Sequence, residues 1–359
     1  GRQKELEDLT RHLSQPATSG IVHITGEAGI GKSRLVFEAL KALDINQSAI
    51  WWTGDAAMTS MALYPAIRWI RDKIGIQHGF TAHQVSTLIS DYTLGRGLDP
   101  ETDLRLLKYL LGVPEAVEEM RDTPPFSIQK NLFGLLRQIL ASYADKTTGC
   151  ILIVDDTQWL DTLTKKFLSA LVEWPTETPL TLILVYRPDA QPPIIPDEKQ
   201  PVIHLGPLSS EERHELVQKL CKAEEFLPEI RKAVFSRETG SPLFLEEMMR
   251  IVQEVARNSA HLNGEALVNQ VVEVIPLSLQ ELIQSRINRL DSRSRLALQC
   301  ASILGLEFTF GMIEMFDVIR DGLSGHLHAL RTMKYIREQP ESGGMRYSFI
   351  HGMFRDVVY

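Results

Sequence analysis

The ten residues GEAGIGKSRL, Gly26 to Leu35, contain the pattern G-x-x-x-x-G-K-[ST] between Gly26 and Ser33. A short apolar run, IVHIT at residues 21–25, precedes them, and the amphipathic stretch VFEALKAL follows at residues 36–43. This succession predicts a buried strand, a glycine-rich loop and a helix. It is the context in which such a loop holds the phosphates of a nucleotide.

Each part of the loop has a predicted task. Gly26 and Gly31 permit a tight turn and let backbone N–H groups approach phosphate oxygens, and the helix N terminus adds the positive end of its dipole. Lys32 is expected to reach the β- and γ-phosphates, and the Ser33 hydroxyl to bind Mg²⁺. The predicted phosphate-binding residues are Gly26, Glu27, Ala28, Gly29, Ile30, Gly31, Lys32, Ser33 and Arg34.

Two adjacent acids are expected to complete the site. The run CILIVDD, residues 150–156, predicts a fully buried parallel strand that ends at Asp155, and this carboxylate is expected to hold the magnesium ion. Asp156 follows at once and is expected to orient the water that attacks the γ-phosphate. The alternative for Asp156 is an acid that caps a helix or lies in a loop.

An arginine ends another predicted strand. The run LTLILVYR, residues 180–187, is typical of a buried strand and ends at Arg187. A rigid, always charged guanidinium beside Asp155 could sense the γ-phosphate, and the alternative is a surface arginine before the turn-forming Pro188. The predicted catalytic residues are Lys32, Asp156 and Arg187, and the predicted metal ligands are Ser33 and Asp155.

Strands alternate with helices over the first 206 residues. SAIWWTGD at residues 48–55 and VIHL at residues 202–205 are two further candidate strands. This alternation predicts an α/β fold with a doubly wound parallel sheet. Residues 57–121 show helical periodicity interrupted by turns, and we predict that they form a helical insertion of short elements.

The pattern changes after residue 206. Residues 209–258 are almost wholly helical apart from the break GSP at residues 240–242, and more helices follow from Pro276. Two short extended pieces, YIREQ at 335–339 and MRYSFI at 345–350, predict a small two-stranded wing. The predicted domains are a P-loop nucleotide-binding domain at 1–206, a helical lid domain at 207–270 and a winged-helix domain at 271–359.

Composition argues against several classes of protein. The chain has 359 residues, of which 44% are hydrophobic, and it lacks an apolar run of the roughly 18 residues that a membrane span needs. A net charge of −8 argues against a clamp on nucleic-acid phosphates. The three cysteines, Cys150, Cys221 and Cys300, show neither zinc-site nor disulfide spacing, and we expect no signal peptide. We therefore expect a cytoplasmic protein.

Seven segments, in order, resemble the STAND class of AAA+-related P-loop ATPases. The resemblance is to the branch of the maltose-regulon activator and of the ATPase regions fused to adenylate cyclases, protein kinases and LuxR-type regulators. Ser241 stands where that family usually has asparagine. The segments are GRQKELEDL (1–9), GEAGIGKSRL (26–35), ILIVDDTQWLD (151–161), LILVYRPD (182–189), ETGSPLFLEEMMR (238–250), PLSLQELIQSRINRLD (276–291) and YSFIHGMFRDVVY (347–359).

The resemblance implies residue roles that spacing alone does not give. Gly1 and Arg2 would lie near the adenine, and Pro242 would contact the base or the ribose. His351, which spacing alone indicates is more often a structural histidine, would reach the β-phosphate of bound ADP. The family also implies a five-stranded sheet in the order 5-1-4-3-2, with a lid domain and a winged helix that close over the nucleotide.

Three functions remain open on this basis. The first is an ATP/ADP-binding signalling switch with Mg²⁺, closed with ADP, that opens and self-associates with ATP to control an attached effector. Slow hydrolysis suits it, because no arginine finger in cis is recognisable and such a cation contributes about 10³ to 10⁵ in rate. The second is a DNA-loading AAA+ ATPase of the origin-recognition type, and the third is a small-molecule kinase.

Both ends of the chain bear on its partners. It begins on Gly1 and Arg2 and ends on Tyr359, directly after an amphipathic stretch. We therefore expect the core of a longer protein, with fused sensor and effector domains outside it.

Overall fold

The computed structural model places the apolar run ahead of the glycine-rich loop at the centre of a parallel sheet. The structure describes residues 2–14, 20–45, 49–77, 79–145, 149–173, 179–220, 234–235, 240–258, 264–274, 278–341 and 344–359.

Five parallel strands form the central sheet. They are β1 Gly20–Gly26, β2 Ile50–Thr53, β3 Cys150–Asp155, β4 Leu180–Tyr186 and β5 Val202–Leu205. Their spatial order, β2-β3-β4-β1-β5, confirms the predicted order 5-1-4-3-2. Thr25 lies beside Tyr186, and Val154 lies beside Leu184. The strands therefore end at a common edge, where open α/β sheets bind ligands.

Helices cover both faces of this sheet. Alternate strand residues pack to opposite sides: Ile153 joins a cluster that contains Leu40, whereas Val154 joins one that contains Phe167. This arrangement explains why all six residues of β3 are buried. The helices that lie nearest in sequence to these strands are α1 Gln3–Leu13, α2 Lys32–Ala42, α7 Pro125–Ala141 and α8 Thr162–Glu173. No helix within the described ranges is long and apolar enough to cross a bilayer.

Four short helices occupy the predicted insertion. Ile70 and Leu107 from them belong to the same buried cluster as Val154 and Phe167, so this segment extends one face of the sheet. The helices are α3 Tyr64–Ile74, α4 Ala82–Gly95, α5 Thr102–Leu110 and α6 Pro114–Glu119.

The next helices surround a separate buried cluster. Phe244, Met248 and Val252 are fully buried in it, at the four-residue spacing of one helical face. The chain leaves the sheet through Leu208, whose N–H donates to the carbonyl of Gly240 at 2.8 Å. The helices are α9 Ser210–Leu220, α10 Pro242–Asn258 and α11 Gly264–Val274.

The C-terminal unit, residues 278–359, combines helices with a three-stranded antiparallel sheet in the order β6-β8-β7. The sequence predicted two of these strands and missed β6, because three residues are too few to show an alternating pattern. Its helices are α12 Leu279–Asn288, α13 Ser292–Leu304, α14 Phe310–Glu314, α15 Leu323–Thr332 and α16 Gly352–Val358, and its strands are β6 Glu307–Thr309, β7 Ile336–Glu341 and β8 Gly344–Phe349.

Ion pairs join this unit to the insertion. Arg346 donates to both carboxylate oxygens of Asp72, at 2.7 and 2.9 Å. Arg68, one turn before Asp72 on α3, lies 2.5 Å from Glu307, which also accepts from Arg346 at 3.3 Å. Helix α3 therefore supplies a charged platform for the C-terminal sheet.

Asp161 ties the insertion to the sheet domain. Its Oδ1 accepts from the backbone N–H groups of Leu63, Leu163 and Thr164, at 3.0, 3.0 and 2.8 Å, and its Oδ2 accepts from the Thr164 hydroxyl at 2.5 Å. The carboxylate thus caps α8 and holds the backbone just before α3. It is only 4% exposed, so water cannot replace it.

We expect Asp161→Ala to lower the free energy of unfolding by about 3 kcal/mol, because three buried donors lose their acceptor. Urea denaturation followed by circular dichroism measures the change. Asp317→Ala, which removes an exposed carboxylate, is the control and should have little effect. Equal stability of the Asp161 variant and wild type would contradict this role.

Candidate nucleotide-binding site

A cavity lies at the carboxyl edge of the parallel sheet and is enclosed by three parts of the chain. The sheet domain forms its base, the start of α10 forms one wall, and the C-terminal unit forms the opposite wall. The lining residues are Ala28, Gly29, Gly31, Lys32, Ser33, Arg34, Gly54, Asp55, Ala56, Asp155, Asp156, Trp159, Arg187, Pro242, Leu243, Glu246, Leu306, His351, Gly352, Met353, Arg355 and Asp356.

Two glycines of the loop are needed for different reasons. Gly31 precedes α2 with a φ of 99°, in the left-handed region that side chains disfavour. Gly26 has an ordinary conformation, but a Cβ there would lie 2.7 Å from the carbonyl oxygen of Leu205 and 2.9 Å from Ile30. Gly31 lets the loop turn into the helix, and Gly26 lets the backbone pass close to β5.

Lys32 is folded into the loop. Its ammonium donates to the carbonyls of Gly26 at 2.8 Å and Glu27 at 3.0 Å. Burial lowers the pKa of Lys32, while the carboxylates of Asp156 and Asp155 act in the opposite direction. A desolvated cation in a ring of backbone groups is well placed to gain from a phosphate anion.

Ser33 and Asp155 meet at the base of the cavity. The Ser33 hydroxyl donates to Oδ2 of Asp155 at 2.5 Å. Burial, followed by the negative charge of Asp156, raises the pKa of Asp155 to about 7. A hydroxyl and a carboxylate form the hard oxygen set that Mg²⁺ prefers, so these residues fit the implied metal.

Asp156 lines the cavity in a left-handed conformation, with a φ of 51°. Its Oδ1 accepts from Nε2 of Gln158 at 2.7 Å. Its side chain makes no capping bond to the short 3₁₀ turn that follows, as far as the described residues extend. Of the alternatives considered for this acid, helix capping therefore does not apply. The carboxylate of Asp156 therefore follows Asp155 directly and is oriented by the side chain of Gln158.

Arg187 follows β4 and lines the same cavity, about two-thirds buried, with 30% of its side chain exposed. Its Nη2 lies 3.6 Å from Oδ2 of Asp356 in α16. Arg187 thus lines the same cavity as the two acids, and a carboxylate of the C-terminal unit pairs with it.

Pro242 is the first residue of α10 and lines the cavity wall. The next residue, Leu243, donates its N–H to the carbonyl of Gly29 at 3.3 Å, and the Ser241 hydroxyl donates to the same carbonyl at 3.3 Å. The phosphate-binding loop and α10 are therefore directly bonded. Arg34, at the rim, lies 3.5 Å from Glu246 of this helix.

His351 lines the cavity directly before α16, and its ring stacks on Phe354 with centroids 6.2 Å apart. Burial lowers the pKa of His351 to about 4, and the charges of Arg337, Arg250 and Arg286 act in the same direction. The imidazole is therefore uncharged near neutral pH, and it can offer an N–H to an anion without carrying a positive charge.

Four predicted residues do not line the cavity. The described lining set lacks Arg2, Gly26, Glu27 and Ile30. Ile30 is buried beneath the loop, and Glu27 points to solvent. Arg2 was expected near the adenine; its backbone N–H donates to Glu212 at 2.5 Å and its guanidinium donates to the carbonyl of Gly206. Gly1 lies outside the described residues.

Four charged residues of the cavity were not predicted from the sequence: Asp55, Glu246, Arg355 and Asp356. Asp55 follows β2 as Asp155 ends β3, so an acid at the end of a parallel strand was an available signal. Arg355 and Asp356 follow His351 by four and five residues, and their place in the cavity depends on how α16 docks. The sequence carries no local signal for that docking.

Comparisons with known proteins place the chain among AAA ATPase domains. Residues 1–185 match the family model for an AAA ATPase domain. An uncharacterized protein of Rhizobium meliloti (strain 1021) is 22% identical over 351 residues, which cover 94% of this chain and 33% of that protein. A STAND protein with a tetratricopeptide repeat sensor, from Pyrococcus horikoshii, matches with a TM-score of 0.52 at 17% identity, over 100% of this chain and 42% of that one.

The family model covers more than half of the chain, and the chain therefore belongs to this family of AAA ATPase domains. Membership implies nucleotide binding, typically with Mg²⁺, and confirms the predicted AAA+-related P-loop ATPase. The Pyrococcus protein shares the fold of this chain. The chain spans about a third of the length of the Rhizobium protein and less than half of the Pyrococcus one.

We expect Lys32→Ala to weaken nucleotide binding at least about 100-fold, because two charge-assisted hydrogen bonds to phosphate are lost. Isothermal titration calorimetry with ADP measures the loss. Lys41→Ala is the matched control, since Lys41 is an exposed lysine in the last turn of the same helix. Similar affinities for the two variants would show that Lys32 does not bind phosphate.

Proposed function

We propose that this protein is an ATP/ADP-binding signal-transduction switch with slow ATPase activity. In the proposed cycle, ADP keeps the molecule closed, and ATP opens it, promotes self-association and so controls an attached effector. One observation carries the proposal: Pro242 and His351, from the two units that follow the sheet domain, line the same cavity as Lys32. A nucleotide bound there would touch all three units.

The proposal divides the chain as the sequence predicts. We infer a nucleotide-binding domain at 1–206, a helical lid domain at 207–270 and a winged-helix domain at 271–359. The helices and the three-stranded sheet of the C-terminal unit support the last of these assignments. A switch needs only that the open and closed arrangements bind the two nucleotides with different affinity.

Hydrolysis is assigned to residues of the sheet domain. Lys32 would stabilise charge on the phosphates, and Asp156 would orient the attacking water. Mg²⁺, held by Ser33 and Asp155, would neutralise part of the phosphate charge. Arg187 would contact the γ-phosphate, and its pairing with Asp356 in the closed arrangement supports slow turnover.

We expect Asp156→Ala to slow ATP hydrolysis about 100-fold while it changes nucleotide affinity little, because a water-orienting carboxylate acts mainly on the reaction step. Phosphate release in a single turnover measures the rate. Asp189→Ala, which removes an exposed acid just after Arg187, is the control. Unchanged hydrolysis would remove Asp156 from the catalytic residues.

We expect His351→Ala to weaken ADP binding about tenfold and ATP binding less, because one hydrogen bond to phosphate is lost in the closed form. The lowered pKa leaves the ring neutral, so this loss should be the same at pH 6 and pH 8. Calorimetry at both pH values provides the test. A loss that shrinks as the pH rises would indicate a cationic histidine, and equal losses for ADP and ATP would indicate a packing role.

The partners of this switch are proposed to lie outside the chain. We propose fused sensor and effector domains in a longer cytoplasmic protein, with an inducer read by the sensor. The chain's coverage of a third of its Rhizobium relative supports this arrangement.

The direct experiment is to purify the protein without added nucleotide and to identify by mass spectrometry what is bound. We expect ADP to be retained and calorimetry to show tighter binding of ADP than of a non-hydrolysable ATP analogue. An empty site with equal affinity for both nucleotides would contradict the switch. Salt-sensitive DNA binding with DNA-stimulated hydrolysis would instead favour an origin-recognition type of ATPase.

A further inference from the structure

One carboxylate of the C-terminal unit reaches into the cavity beside the catalytic groups. Oδ2 of Asp356 lies 3.6 Å from Nη2 of Arg187, and Oδ1 of Asp356 lies 3.4 Å from Nη1 of Arg355. Both Asp356 and Arg187 line the cavity together with Lys32 and Asp156. About a third of each of the paired side chains is exposed, so solutes can reach both.

Each member of this pair has a further charged group nearby: Asp156 acts on Asp356, and Lys32 lies near Arg187. Burial raises the pKa of Asp356, and the negative charge of Asp156 acts in the same direction. Burial lowers the pKa of Lys32, and the positive charge of Arg187 in turn lowers it further. The pair therefore lies among the charged groups that would surround the terminal phosphate of a bound nucleotide.

We propose that Asp356 occupies, on Arg187, the position that the third phosphate of ATP would claim, and that this pair distinguishes ADP from ATP. The inference rests on the proposed switch function and assigns its nucleotide selectivity to two residues. With ADP, Arg187 keeps its carboxylate partner and the C-terminal unit stays docked. With ATP, the γ-phosphate competes with Asp356 for the same guanidinium.

The physical reason is that one arginine fork makes its strongest contacts with one anion at a time. A phosphate carries more charge than a carboxylate and can accept paired hydrogen bonds from a guanidinium. When it takes Arg187, Asp356 loses one of its two cations and faces Asp156 and the new phosphate as like charges. The triphosphate thus opposes docking of α16, whereas the diphosphate does not, which is the differential interaction that a switch requires.

The test compares affinities for ADP and for a non-hydrolysable ATP analogue, both with Mg²⁺, by calorimetry on the whole chain. We expect Asp356→Asn to shift the affinity ratio toward ATP about tenfold, because the amide has nearly the same shape but no charge to compete. Asp356→Glu keeps the charge and should retain most of the wild-type ratio. Asp317→Asn is the matched control, since it removes an exposed carboxylate from the same unit.

A double-variant cycle tests whether the effect passes through Arg187. In an Arg187→Gln background, Asp356→Asn should change the ratio by less than about twofold, because the competition no longer exists. Thermal melting checks that each variant is folded, and Asp356→Ser offers the same loss of charge if the asparagine variant is not.

The outcomes separate this inference from the switch itself. If wild type prefers ADP and Asp356→Asn keeps that preference, or shifts both affinities equally, the switch stands and the role of Asp356 is overturned. If wild type shows no preference between the nucleotides, both are overturned. A shift of the ratio that appears in Asp356→Asn and vanishes in the Arg187→Gln background supports the inference.

Discussion

The C-terminal unit reaches the nucleotide cavity because a buried carboxylate, Asp55, holds a buried guanidinium, Arg355. Each residue is only 2% exposed, and Nη2 of Arg355 lies 3.7 Å from Oδ1 of Asp55. Asp55 also accepts from the N–H of Leu306 at 3.3 Å, and Arg355 donates from Nε to the carbonyl of Ser302 at 3.1 Å. An unpaired buried charge is costly, so this pair favours a docked position of α16 in which the two groups face each other. In this docked position of α16, His351 and residues of the helix line the cavity.

The polar character of this interface is compatible with the proposed opening of the molecule. Arg346 pairs with Asp72, Arg187 with Asp356, and Arg355 with Asp55, so charged groups carry much of the contact between the C-terminal unit and the sheet domain. Charged groups regain water when the surfaces separate, whereas an apolar contact costs about 25 cal/mol for each Å² exposed. The closed arrangement is thus specific in its geometry but opposes opening less than an apolar core would. A small difference between the contacts that ADP and ATP make could then shift the equilibrium between the closed and the open arrangement.

The strands of the sheet and the phosphate loop could be predicted because they depend on local patterns, whereas the strand order was implied by the resemblance to the STAND class. Apolar runs end at Asp155 and Arg187, and parallel strands bring such ends to one edge. Strand β6 was missed because three residues carry no period. The roles of Asp55 and Asp356 depend on contacts between residues far apart in sequence, and the platform on α3 depends equally on where the C-terminal sheet docks. Such packing has no signature in a single sequence.

The central claim is that the C-terminal unit docks over the cavity with ADP and separates from it with ATP. Pulsed electron resonance between labels at positions 41 and 317, introduced as unnatural amino acids so that the cysteines remain, measures the separation directly. Both positions are exposed, one on α2 and one in the C-terminal unit. The account predicts one narrow distance with ADP and a longer, broader distribution with Mg²⁺ and a non-hydrolysable ATP analogue. The same distribution with both nucleotides would contradict it.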